Sequence, residues 1–143
     1  FAYRQSGPFF VQNFEAEEKM NLFLFDGTMV STPSNFVSLM LLSTSIRLRL
    51  GLPTVNVITK TDLIEEKLQQ VLSWSGTDSK LEADLAGEVN GDTFSLVSDM
   101  LTSINRNDFQ QDLIPVSNAT GDGMVNLQSA LSRTINLGEE IED

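Results

Sequence analysis

Residues 54–63 read TVNVITKTDL, and the reading of the whole chain turns on them. Val55, Val57 and Ile58 sit among β-branched neighbours in a run of six, short enough for a strand and apolar enough to be buried on both faces. The run then breaks into Thr59-Lys60-Thr61-Asp62. A lysine and an aspartate two residues apart at a strand end have two explanations. Asp62 can N-cap a helix that starts at Leu63, or the pair can hold a ligand.

The same kind of segment recurs on either side. NLFLFDG (residues 21–27) is a second short apolar strand ending in an Asp-Gly turn, and DLIPVS (112–117) is a third. Helical patterns alternate with them. Phe10, Phe14 and Glu17/Glu18 predict an amphipathic helix over 7–20. Thr32-Pro33-Ser34 is a helix start and Gly51 a stop, enclosing a segment whose first turns, Phe36 to Leu42, are apolar almost all round. That width predicts a second packing surface besides a sheet. Residues 62–74 and 92–105 continue the helical pattern, the latter with Phe94, Val97, Leu101 and Ile104 on one face. One short helix is expected around Leu81 to Leu85, and a closing helix carries Met124, Leu127, Leu131 and Ile135. Strands that alternate with helices predict an α/β fold, with a parallel sheet and right-handed crossovers. Three strands make a thin sheet, and the chain opens on FAYRQSGPFF with no initiator methionine. Further strands are therefore expected before Phe1.

Composition narrows the chemistry. The 143 residues suffice for one domain, and 41% of them are apolar. Net charge is −11 with only nine Lys and Arg, which argues against nucleic acid and anionic membrane as partners. There is no Cys and no His. That removes disulfides, thiol nucleophiles, imidazole bases and the usual zinc ligands. What remains is carboxylates, lysines, hydroxyls and backbone amides. A cysteine-free sequence is compatible with the cytoplasm, which is the expected location. The carboxylates between Glu65 and Asp108 read as a solvated face.

In an open parallel sheet, ligands bind outside the carboxyl ends of the strands. Parallel pairing would place Asp26-Gly27, Thr59 to Asp62 and Ser117 to Gly121 on one rim. Those groups suit guanine. A carboxylate at Asp62 can accept from both N1–H and the 2-amino group. The Lys60 stem can lie across the base with its ammonium in water. Amides after Ser117 can donate to O6. Asp26 reads as a strand-end turn residue rather than a metal ligand.

These residues resemble a known family. TKTD (59–62) is similar to the [N/T]KxD guanine-specificity motif of P-loop GTPases, and PVSNATGDGMVNL (115–127) to their fifth motif, PVSAxTGxGMxxL. Residues 25–64, with RLRLGLPTVNVITKTDLI at their end, resemble more narrowly the GPN-loop GTPases, of the SIMIBI class. FAYRQSG resembles the segment just after the DxPGQ switch motif in that family. Thr59 stands where the family usually has Asn, Asn118 where it has Ala, and Ala119 where it has Lys. The resemblance implies the C-terminal part of a P-loop NTPase, a Rossmann-like three-layer α/β sandwich. Residues 1–62 and 110–143 would form the sheet core and 63–109 a helical insertion or lid. It implies guanine binding through Thr59, Lys60, Asp62, Ser117, Asn118 and Ala119, with no catalytic or metal-binding residue in this chain. It implies GTP or GDP with Mg2+ as ligands of the whole protein, GTP hydrolysis as its activity, a homodimer, and a link to RNA polymerase assembly. The sequence holds no G-x-x-x-x-G-K-[S/T], no GPN tripeptide and no DxPGQ. The phosphate-binding half is thus expected to lie elsewhere, and these residues alone to be inactive.

Two other readings stay open. The chain could be an acidic protein-interaction module without nucleotide. It could also be a receiver-like phosphoacceptor domain built on Asp26 and Lys60, although no acidic pair sits near its start.

Overall fold

The computed structural model describes residues 1–75, 80–106 and 113–142. Its centre is a three-stranded parallel sheet of β1 (Asn21–Asp26), β2 (Thr54–Thr59) and β3 (Leu113–Pro115), in the order β1-β2-β3. The fold is α/β, as the alternation of patterns requires. Residue 112, the expected start of the third strand, and the expected insertion boundary at 109/110 lie outside the described residues.

β2 is central and buried on both faces. Period-two alternation sends Val55 and Val57 to one side and Asn56 and Ile58 to the other. On the first side Val55 and Val57 pack with Val116, Ala130, Met124, Leu127 and Leu131. The last four of these belong to the closing helix α6 (Met124–Glu142). On the second side Phe25 and Ile58 join Phe36, Val37, Ile64, Val71, Trp74, Leu81 and Leu85 in the larger core. That layer contains α2 (Pro33–Leu50), α3 (Glu65–Ser73) and α4 (Leu81–Ala86). The buried Asn56 is satisfied on this face, where its Oδ1 accepts from Ser43 Oγ of α2 at 2.6 Å. In-register pairing sets Phe25 opposite Ile58 and Asp26 opposite Thr59, so both hydrophobic faces are aligned across the strands.

α2 begins and ends where its sequence signals say. Thr32 is the N-cap and accepts from Asn35 N through its side chain, Pro33 is the first helical residue, and Gly51 closes the helix at φ 64°. Its apolar surface meets more than the sheet near its start, where Phe36 packs against Trp74, while Leu42 and Leu48 stay 41% and 72% exposed. Leu39, Met40 and Leu41 pack toward the larger core, while Arg49 Nε donates to the Ala2 carbonyl and Tyr3 hydrogen-bonds Ser45.

The helix expected over 7–20 is shorter: α1 spans Ser6–Asn13, and Phe14 is already extended. Lys19 caps the end that results. Its ammonium donates to the Val11 carbonyl at 2.6 Å, so the chain has doubled back onto the end of α1, where a cation also suits the helix dipole. The acidic residues of the segment after α3 are not merely solvated. Asp84 Oδ2 accepts from Trp74 Nε1 at 2.8 Å, Glu88 Oε2 accepts from Ser34 N at the start of α2 at 2.8 Å, and Glu82 accepts from Ser98. Ser98 lies on α5 (Gly91–Arg106), so these carboxylates tie α4 to α5 and to Trp74, and the residues after α4 to α2. Among the described residues, no helix is long and apolar enough to cross a membrane.

Candidate functional site

Because all three strands are parallel, their carboxyl ends emerge on one rim. Asp26, the Thr59–Asp62 segment and the Ser117 loop are neighbours there, as the sequence predicts.

β2 ends at Thr59, and Lys60 then takes a left-handed conformation with φ 57°. A single 3-10 turn follows at Thr61–Leu63, before α3 starts at Glu65. The turn is tied to the third strand's exit. Thr61 N donates to the Val116 carbonyl at 3.3 Å, and Val116 N donates to the Ile58 carbonyl at 2.8 Å. Thr61 and Ser117 are both buried at this seam.

Asp62 does not cap α3. The N-cap position is Ile64, with no side-chain cap bond, and Asp62 instead turns toward β3. Its Oδ1 accepts from Ser117 Oγ at 2.7 Å, a contact between residues 55 apart in sequence. The Ser117 hydroxyl accepts in turn from Thr120 N at 3.3 Å. The loop is closed by Ser117 N to the Asp122 carbonyl and Gly121 N to the Ser117 carbonyl, with Thr120 Oγ1 donating to Asp122 Oδ2 at 2.8 Å. Asn118 and Ala119 form the exposed crest of this loop. Thr120, Asp122 and Gly123 carry its shape, and no side-chain chemistry in the sequence singled them out. Gly123, at φ 79°, lies so close to β3 that a Cβ would stand 1.9 Å from the Pro115 carbonyl oxygen, so the position excludes every residue but glycine.

Thr59 and Lys60 reach the opposite way, toward β1. Thr59 Oγ1 donates to the Phe25 carbonyl at 3.3 Å, and its own carbonyl accepts from Gly27 N at 3.0 Å. Thr59 thus braces β1 against β2. Lys60 Nζ forms an ion pair with Asp26 Oδ2 at 2.7 Å. The other Asp26 oxygen accepts from Thr28 N and Thr28 Oγ1, at 3.0 and 2.7 Å. Asp26 is therefore the expected turn residue and also the lysine's partner. The Lys60 ammonium, assisted by both Thr28 bonds, holds its carboxyl at about 2, below the ordinary 3.8. Among the described residues, no group of three or more acidic side chains gathers as a metal site.

The rim therefore offers the Asp62 carboxylate, fixed by Ser117, beside a glycine-shaped loop, and the Lys60 side chain reaching from the end of β2 to Asp26 on β1. Comparison with known proteins bears on the family and the fold. A family model described as "Conserved hypothetical ATP binding protein" matches residues 1–137. Over 43 residues the chain is 46% identical to the GPN-loop GTPase 2 homolog of Dictyostelium discoideum, a match covering 30% of this chain and 14% of that protein. The fold superimposes on the crystal structure of a GTPase in apo form from Pyrococcus abyssi with a TM-score of 0.73. That match is 19% identical and covers 92% of this chain and 52% of the other. The chain thus spans about half the length of the solved GTPase.

Proposed function

The chain belongs to the family described as conserved hypothetical ATP binding protein and is related to the GPN-loop GTPases; on that premise we propose that it is the guanine-recognising part of a GTP-binding and hydrolysing protein. The observation that carries this reading is the 2.7 Å bond from Ser117 Oγ to Asp62 Oδ1. It leaves Oδ2 of a half-buried carboxylate at the rim, next to the Asn118–Ala119 crest. Asp62 accepts from guanine N1–H and the 2-amino group, and the crest amides donate to O6. The Lys60 stem covers a ring face. Adenine fits these groups badly: its N1 is an acceptor and would face the carboxylate, and it has no O6.

The family's description mentions ATP, and the Asp62 geometry is the reason to prefer GTP. In an interaction module without nucleotide the Ser117–Asp62 bond would serve only as a tie between the two loops, and the Asp62→Asn test below separates that role from base recognition. A receiver-like phosphoacceptor would use the Asp26–Lys60 pair, but Asp26 has both oxygens engaged.

The phosphate-binding loop is supplied from outside these 143 residues. Among the described residues β1 is an edge of the sheet, so it can accept a further strand. Mg2+ would arrive with the nucleotide's phosphates there.

The test is Asp62→Asn in the complete protein, with affinities for GTP, XTP and ATP. The amide faces the guanine amino group donor to donor, and a charge-assisted bond is lost, about 1.5–3 kcal/mol. GTP binding should fall by about tenfold or more. XTP, whose 2-carbonyl accepts from the new amide, should gain relative to GTP. An unchanged GTP/XTP ratio would refute guanine recognition by Asp62.

A further inference from the structure

Among the described residues, Lys60 is the one non-glycine residue with positive φ. L-residues avoid this region because Cβ crowds the following carbonyl oxygen, and glycine would sit there with less strain. A strained residue at a candidate site points to a function of its side chain. The left-handed turn sends the lysine sideways along the rim, and the side chain ends 2.7 Å from Asp26 Oδ2 on the neighbouring strand.

The receiving carboxylate is itself built. Asp26 pairs in register with Thr59, the residue before Lys60. The Asp26-Gly27 turn is drawn against β2 by Gly27 N to the Thr59 carbonyl, an approach a Cβ would block at 2.6 Å. Thr28 occupies Oδ1 twice, leaving Oδ2 for the ammonium. With that head anchored, the lysine side chain still keeps 56% of its surface open. We propose that Asp26 is a positioning residue for the base platform: it anchors the Lys60 ammonium so that the four-carbon stem lies preformed as the floor on which the purine ring sits. This rests on the guanine reading above. An unanchored lysine is rotamer-rich, and ordering it on binding would weaken affinity. The carboxyl, held at about 2, is charged throughout the range in which nucleotides bind.

The test is Asp26→Asn in the complete protein. Asn keeps the side-chain acceptor that Thr28 uses and removes only the charge. Affinity for GDP and IDP should fall by the same factor, about two- to fivefold, the range of a partly exposed ion pair. The stem contacts a ring face, so the loss is blind to the 2-amino group. The gap between wild type and variant should narrow at 1 M salt, where exposed charges are screened. In a Lys60→Met background the same substitution should change nothing. An equal loss in both backgrounds, or no loss in either, overturns the proposal. Should Asp26→Asn not fold, Asp26→Ser keeps a turn acceptor and gives the same reading. If Asp62→Asn shifts the GTP/XTP ratio while Asp26→Asn shows no Lys60-dependent loss, only the positioning role fails. If Asp62→Asn leaves that ratio unchanged, the guanine reading itself fails.

Discussion

Ser117 donates its hydroxyl to Asp62 Oδ1 at 2.7 Å while itself 1% exposed. The bond joins the turn after β2 to the loop after β3, so the two halves of the candidate base pocket are one structural unit. A carboxylate fixed by a buried donor loses little freedom when a ligand arrives, which is the physical content of a preorganised site.

Ser117→Ala should separate the two roles of that bond. Removing a hydrogen bond to a charged group costs about 1.5–3 kcal/mol, and the lower end applies because Asp62 is partly open to water. Urea unfolding should show a loss of about 1.5 kcal/mol. GTP affinity should fall as Asp62 loses its anchor, while the preference for GTP over XTP keeps its sign.

Gly123→Ala should be among the most damaging single-methyl changes in the chain. Its Cβ would overlap the Pro115 carbonyl oxygen at 1.9 Å, at φ 79°. Backbone strain and overpacking together predict a loss of about 2–4 kcal/mol. Gly51→Ala is the control. It has φ 64° but nothing within 4 Å of the added methyl, so only the conformational cost of about 1 kcal/mol applies. Denaturation midpoints of the two variants measured side by side check the contrast.

Acid should weaken the β1–β2 rim through Asp26. Its carboxyl is lowered in the folded chain from 3.8 to about 2 by Lys60 and Thr28. A depressed carboxyl pKa stabilises the fold above the unfolded value, and that stabilisation is lost as pH falls through the folded value. The contribution should be intact above about pH 4 and gone near pH 2. Asp26→Asn should flatten this part of the pH–stability curve, read by urea unfolding at successive pH values.

These 143 residues by themselves should neither hydrolyse GTP nor bind it with micromolar affinity, because no phosphate-loop lysine or amide nest is among them. Calorimetry with GTP and a phosphate-release assay check both points. Micromolar binding would show that base contacts alone suffice.

Much of the fold is legible in local sequence. The limits of α2 follow from Thr32-Pro33 and Gly51, because caps act within one turn of the residues that make them. The helical pattern of α1 runs on to residue 20, whereas the helix stops at Asn13. There the backbone turns extended at Phe14 and Lys19 folds back onto the Val11 carbonyl, a contact no periodicity encodes. The acidic segment after α3 reads as solvated for a similar reason. Asp84 finds Trp74, and Glu88 finds Ser34, only once the helices pack.

The candidate site divides the same way. Local sequence was enough to say which groups stand at the strand ends: a carboxylate at Asp62, an ammonium at Lys60, and a loop that starts at Ser117. Apolar runs choose strands and polar breaks end them, so the order of chemistry along the chain is local information. The pairing of those groups came from packing. Parallel register set Asp26 beside Thr59, the left-handed turn at Lys60 carried its ammonium to Asp26, and the seam between β2 and β3 gave Asp62 to Ser117 rather than to the start of α3. Those partners are 34 and 55 residues apart, and only the packing of two helical layers on one sheet brings them within hydrogen-bond reach.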